Sequence, residues 1–198
     1  MPNSEVEFAA LIGSRICHDL ISPIGAVNNG LELLSMTGVA ESPEMALIGD
    51  SVSNASARIR FFRVAFGGAE SQSMGTAEIT GILRDYYRGT RWNVVWAPSE
   101  PQQRADVRLC FLALLCLETG MPYGGAMQVE TSDDAWLLTG QAEKLNIDPD
   151  LWAVLATPTP AIKLRPAQVQ FGLLPTIARD AGQQITSQIT ENEITISF

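Results

Sequence analysis

Residues Gly13 to Leu34 read GSRICHDLISPIGAVNNGLELL, and the way this stretch folds decides the architecture around it. Gly13, Cys17, Leu20, Ile24, Val27, Leu31 and Leu34 recur at alternating spacings of four and three, the seam of a helix packed at a shallow angle on another helix. One position past a seam residue stands His18, the only histidine in 198 residues, followed at once by Asp19 and then by Pro23. Upstream, Ser4 and Glu7 have the form of a capping box, which opens the helix near residue 5. Downstream, Gly38 has the character of a helix stop.

A second helix follows a short connection. Ser42 is placed to cap it and Pro43 to occupy its first position, where the missing N–H had no partner to lose. Met45, Ile48, Val52, Ala55, Ile59, Phe62 and Phe66 repeat the seam, and Gly67-Gly68 ends it. A connection this short makes the pair an antiparallel hairpin. Both helices carry further apolar residues off the seam: Ile16, Ile21 and Leu33 on the first, Leu47, Phe61 and Val64 on the second. A hairpin buries one stripe per helix, so the second stripe calls for another partner. A second copy of the hairpin supplies one, making a dimeric four-helix bundle about a two-fold axis; packing on the C-terminal half is the alternative.

Residues 67–75, GGAESQSMG, read as a polar linker, giving domains over 1–68 and 76–198. Beyond the linker the elements shorten and alternate. Helices are expected over 76–88, over 105–119 (apolar nearly all round), from Pro149 to about Ala156, and over 166–181 with a break or kink at Pro175. Strands are expected over 92–96, over 127–131 and 136–139 as a hairpin through a Ser-Asp-Asp turn, and over 184–190 and 193–198 as a closing hairpin. Helices with mostly antiparallel strands make this half an α+β layer, so the chain as a whole reads as α plus α+β.

Composition narrows the function. A net charge of −9 argues against a general nucleic-acid or anionic-membrane binder, because attraction to phosphate needs a basic surface. Three cysteines, Cys17, Cys110 and Cys116, sit in apolar helical patterns, which suits buried thiols in a reducing compartment rather than a disulfide framework or a metal site. The start MPNSEVEFAA lacks the pattern of a signal peptide, and the longest apolar run, 109–117, is too short to span a bilayer. A cytoplasmic protein is expected.

His18 then carries the chemistry. Its place beside the seam projects it from the flank of the bundle, within reach of a large partner. Ser22, Gly25 and Asn29 continue its face with small or polar side chains, a strip that admits a docked protein helix. A neutral imidazole nitrogen attacks phosphorus while the other ring nitrogen shares its proton, and Asp19 is placed to accept it. Asp19 taken alone reads equally well as a solvated helix charge, and Pro23 as a structural kink. The antiparallel pairing brings Arg58, Arg60 and Arg63 near the height of His18, with Arg15 one turn before it. One or two of these cations would favour an incoming phosphoryl group; a solvated basic end of an acidic protein is the competing reading.

At His18-Asp19-Leu20-Ile21-Ser22-Pro23 the sequence resembles the H-box of sensor histidine kinases, on the first helix of their dimerisation and phosphotransfer hairpin. RICHDLISPIGAVNNGLELL together with ARIRFFRVAFGG is more closely similar to the ChpT-type histidine phosphotransferases of alphaproteobacteria, over about residues 10–68. That family joins the hairpin to a degenerate relative of the kinase ATP-binding domain, an α/β sandwich, and QFGLLPTIARDAGQQITSQITENEITISF resembles the end of such a domain. The ATP machinery is missing: helix 109–119 has no N-box asparagine, there is no Asp-x-Gly-x-Gly segment, and Phe171-Gly172-Leu173-Leu174 keeps a single glycine of the lid. The resemblance therefore implies a relay without autokinase activity. His18 would take a phosphoryl group from the receiver-domain aspartate of a hybrid histidine kinase and pass it to response-regulator receivers. Mg²⁺ would be held by the receiver's carboxylates, with no cofactor or metal bound by this chain. On this reading Asp19 has a catalytic place beside His18 by its adjacency, and Arg15, Ser22, Gly25, Asn29, Arg58 and Arg63 have a place in receiver docking by their position on the hairpin. A non-catalytic dimeric adaptor and an ATP-dependent kinase are the rival readings, and reverse transfer would give the relay a phosphatase-like effect.

Overall fold

The computed structural model describes residues 5–37, 42–68, 72–132, 135–156 and 163–198. The chain divides into two compact units, Met1–Gly68 and Ala69–Phe198. Ser4, Gly38 and the two aspartates of the expected Ser-Asp-Asp turn lie outside the described residues.

The first unit is an antiparallel helical hairpin. Helix α1 (Glu5–Met36) runs 32 residues through Pro23 without interruption, so the proline does not break it. Helix α2 (Pro43–Ala65) starts where the sequence places it: Ser42 has extended backbone and its hydroxyl accepts from the Met45 N–H at 3.3 Å. One register holds along the pair. Gly13 lies against Phe66, Cys17 is within electrostatic reach of Arg63, and Leu31 and Ser35 line one cleft with Met45 and Gly49. A Cβ on Gly13 would stand 2.9 Å from the Phe66 carbonyl oxygen, so glycine is what lets the helices approach there.

The seam of α1 divides into two lines. Cys17, Ile24 and Leu31 are buried or half-buried, whereas Leu20, Val27 and Leu34, the alternate members, are exposed. Of the residues off the seam, Ile16, Ile21, Leu33 and Leu47 are exposed, while Phe61 and Val64 are buried.

The second unit is two layers, helices over a five-stranded mixed sheet. Its strands are β2 (Trp92–Trp96), β4 (Gly125–Ser132), β5 (Ala135–Gln141), β6 (Thr186–Ile189) and β7 (Glu193–Ser197), in the order β2-β4-β5-β7-β6. Only β2 and β4 pair in parallel; β4 with β5, β5 with β7 and β6 with β7 are antiparallel. Met127, Val129, Trp136, Leu138, Ile194 and Ile196 alternate into the core, and the residues between them, such as Gln128, Glu130 and Leu137, face outward.

Covering the inner face are α3 (Thr76–Tyr87), α4 (Arg104–Gly120), α5 (Pro149–Ala156) and α6 (Val169–Asp180). Every residue of α4 from Val107 to Leu117 is buried, as its all-round apolar character requires. Two polar links tie neighbouring helices to it. The Tyr87 hydroxyl donates to Glu118 at 2.6 Å, and the Gln170 amide donates to Thr119 Oγ1 at 3.1 Å.

Two expectations need correction. Within the expected linker, Ser73–Met74 forms a short strand β1, paired antiparallel with β3 (Gln102–Gln103). Two-residue strands have no periodicity to betray them. The expected helix over 166–181 begins as a 3-10 turn, Pro166–Gln168, and of the expected break or kink at Pro175 the break is absent, since α6 runs from Val169 to Asp180 through it. Gly182, with φ of +76°, closes it as read.

Candidate functional site

The site lies on the solvent side of α1. His18 projects there with 82% of its side chain exposed, a consequence of standing one position from the buried Cys17. Its Nδ1 is 3.1 Å from Asp19 Oδ1. The other oxygen of that carboxylate, Oδ2, accepts from Arg15 Nε at 2.7 Å. These three side chains are the polar group that the fold assembles around the histidine. The bond from His18 and then that from Arg15 hold the Asp19 carboxyl below the usual carboxylate range.

Ser22, Gly25 and Asn29 follow His18 at helical intervals, four, three and four residues apart, and so share its face. Ser22 and Asn29 are exposed and Gly25 is half-buried. A Cβ added at Gly25 would meet nothing within 4 Å, so this glycine has no packing reason inside the chain.

The arginines do not act as one group. Arg15 is engaged with Asp19. Arg58 donates from Nε to Asn54 Oδ1 at 3.0 Å on its own helix. Arg63 is near enough to Cys17 to favour its thiolate, although burial outweighs this and raises the Cys17 pKa. Arg63 thereby lies near the height of His18, and Arg60 is exposed on α2. The link between Arg15 and Asp19 was missed by reading Arg15 toward an incoming phosphate. Their four-residue spacing was the available signal.

Open clefts among the described residues include three that lie away from His18. One of about 290 Å³ lies between α1 and α2 around Leu31 and Met45. One of about 380 Å³ is lined by Thr80, Tyr87, Arg88 and Trp92, and one of about 590 Å³ by Tyr123 and Lys144. Small substrates are held in concave pockets; a reactive imidazole on an open helix suits a protein surface. Among the described residues, no group of three or more His, Cys, Asp and Glu side chains is placed to hold a metal, and no helix is long and apolar enough to cross a membrane.

The family model for the histidine phosphotransferase C-terminal domain matches residues 76–193, the part of the chain that does not carry His18. Protein phosphotransferase ChpT of Brucella abortus (strain 2308) is 34% identical over 205 aligned positions, spanning 98% of this chain and 96% of that protein. A bacterial phosphotransferase structure solved at 1.7 Å superposes with a TM-score of 0.70 at 34% identity, over 100% of this chain and 98% of that one. The matches thus extend over both units, and the chain belongs to the ChpT-type histidine phosphotransferase family.

Proposed function

We propose that His18 is the phosphoacceptor of a two-component phosphorelay, taking a phosphoryl group from the receiver-domain aspartate of a hybrid histidine kinase and giving it to response-regulator receivers. Family membership supports the transferase activity. The observation that carries the assignment to this residue is the exposed imidazole of His18, with Nδ1 bonded to Asp19 and the far side of the ring open to a partner.

An ionised carboxylate accepts hydrogen bonds and cannot donate, so Asp19 favours the hydrogen on Nδ1 and leaves the lone pair of Nε2 for attack. As that nitrogen bonds to phosphorus the ring becomes cationic, and the charge of Asp19 opposes it at close range. Ser22, Gly25 and Asn29 form the docking strip. Mg²⁺ enters with the receiver, whose carboxylates hold it.

The chain works as a cytoplasmic homodimer. In a four-helix bundle each helix has two neighbours, and one hairpin supplies only one of them. Ile12, Ile16, Leu20, Val27 and Leu34 form an exposed apolar stripe on α1, which a second copy would cover. The second unit, lacking the asparagine and glycines of the ATP site, acts as a scaffold and not as a kinase.

Incubation with a phosphorylated receiver tests the reading. Label is expected on the protein, on a second receiver added afterwards, and not on His18→Ala. Label on His18→Ala, or label appearing from ATP without any receiver, would remove it.

A further inference from the structure

We propose that Arg15 is a positioning residue for the transfer: it pins Asp19 so that one carboxylate oxygen stays on His18 Nδ1, and Nε2 is thereby kept as the attacking nitrogen. The inference rests on His18 being the phosphoacceptor. Its ground is the division of one carboxylate between two donors, with Oδ2 2.7 Å from Arg15 Nε and Oδ1 3.1 Å from His18 Nδ1. Asp19 has 48% of its side chain exposed, so no packing fixes its rotamer. Within a helix two staggered wells about the Cα–Cβ bond are then open to it, the third clashing with the preceding turn, and a donor one turn back selects between them.

Helix stability alone accounts poorly for this pair. An acid placed four residues before a base suits the helix better than the reverse, and here the base comes first. The engagement also uses the guanidinium. With 77% of its side chain exposed, Arg15 is turned to Asp19 along its own helix, and it acts on the incoming group through the imidazole.

The step balances without another reactant. The Nε2 lone pair forms the N–P bond while the P–O bond to the receiver's aspartyl carboxylate breaks, and that electron pair leaves with the carboxylate. The hydrogen stays on Nδ1, the ring becomes a phosphoimidazolium, and Asp19 faces its charge. Onward transfer reverses each change at the second receiver.

A single histidine makes the test unambiguous, because the ring gives one pair of imidazole nitrogen signals. Long-range proton–nitrogen correlation on the purified protein, with the ring neutral, is expected to show the Nδ1–H tautomer dominant. In Arg15→Ala the two tautomers are expected to mix and transfer from a phosphorylated receiver to slow roughly twofold to threefold, as about half of the Asp19 rotamers remain productive. Receiver affinity and the melting temperature should stay unchanged, and Arg15→Lys, which keeps a cation on the same turn, should restore much of the rate. An unchanged tautomer ratio and rate in Arg15→Ala would overturn the proposal. So would weakened receiver binding with an unchanged tautomer, since Arg15 would then be a docking residue. A wild-type protein that takes no label, or labelled His18→Ala, would instead bring down the phosphoacceptor reading beneath it.

Discussion

At the scale of single residues, the chemistry turns on how Asp19 is shared. The His18 bond is the larger cause of its lowered pKa, and the Arg15 bond is the next. A carboxyl whose folded pKa is depressed stabilises the fold above its unfolded pKa, and that contribution is lost as pH falls through the folded value. For Asp19 the window lies below the ordinary value of 3.8, so the carboxylate is ionised and able to accept throughout the neutral range. Carboxyl-carbon chemical shifts followed against pH should show Asp19 titrating below its ordinary value in the wild type and moving back toward it in His18→Ala. An unmoved titration in that variant would show that the imidazole is not its partner. The sequence made His18 and Asp19 legible because they are adjacent and the histidine has no competitor. It did not reveal which of four nearby arginines was committed, because spacing limits the candidates and only rotamers choose among them.

At the scale of elements, two glycines on α1 separate packing from function. A Cβ at Gly13 would crowd the backbone oxygen of Phe66, whereas at Gly25 it would enter open space. In a helix interior, replacing glycine with alanine gains roughly 0.5–1 kcal/mol. At Gly25 that gain is expected in full, so Gly25→Ala should raise stability by about that amount in chemical denaturation. At Gly13 the backbone contact must open, and a net loss of about 1 kcal/mol is expected from overpacking. Equal effects at the two sites would show that the hairpin does not make the close approach at Gly13. If the face of Gly25 is the proposed docking strip, Gly25→Trp should hinder receiver binding where Gly25→Ala does not.

The hairpin was legible at this scale because its signals are redundant: the Ser42 cap, Pro43 at the first position and a sustained seam all mark the same two helices. Most elements of the second unit were legible for a similar reason, with alternation in the strands and an unbroken apolar run in α4. The pairing of Ser73–Met74 with Gln102–Gln103 was not, since it depends on two segments meeting far apart in sequence. Whether α6 would break at Pro175 or run through it was left open by the sequence, because the loss of one hydrogen bond is tolerated only when a helix is packed, and Phe171, Leu174 and Ala178 are buried.

For the whole molecule, the exposed stripe of α1 decides the expected assembly. A monomer with Ile12, Ile16, Leu20, Val27 and Leu34 facing water carries an apolar band along one side of the helix. The alternation along the seam gives the band its meaning, since Cys17, Ile24 and Leu31 are turned toward α2 while Leu20 and Val27 need a partner of the same periodicity. A second hairpin has that periodicity by construction, and a two-fold axis sets the stripe against itself. Light scattering after size exclusion should therefore give twice the 21.4 kDa chain mass, and the melting temperature should rise with protein concentration, as it does when folding and association are linked. Leu20→Lys combined with Val27→Lys places two cations in the seam, and should give a monomer of lower melting temperature with unchanged helix content. His18 stands on a different face of α1 from this stripe, so the monomer is expected to keep the His18–Asp19–Arg15 arrangement and to accept label, more slowly if receivers also contact the second copy. A wild-type mass of one chain, or a double variant that stays dimeric, would mean that the stripe is covered by something other than a second hairpin.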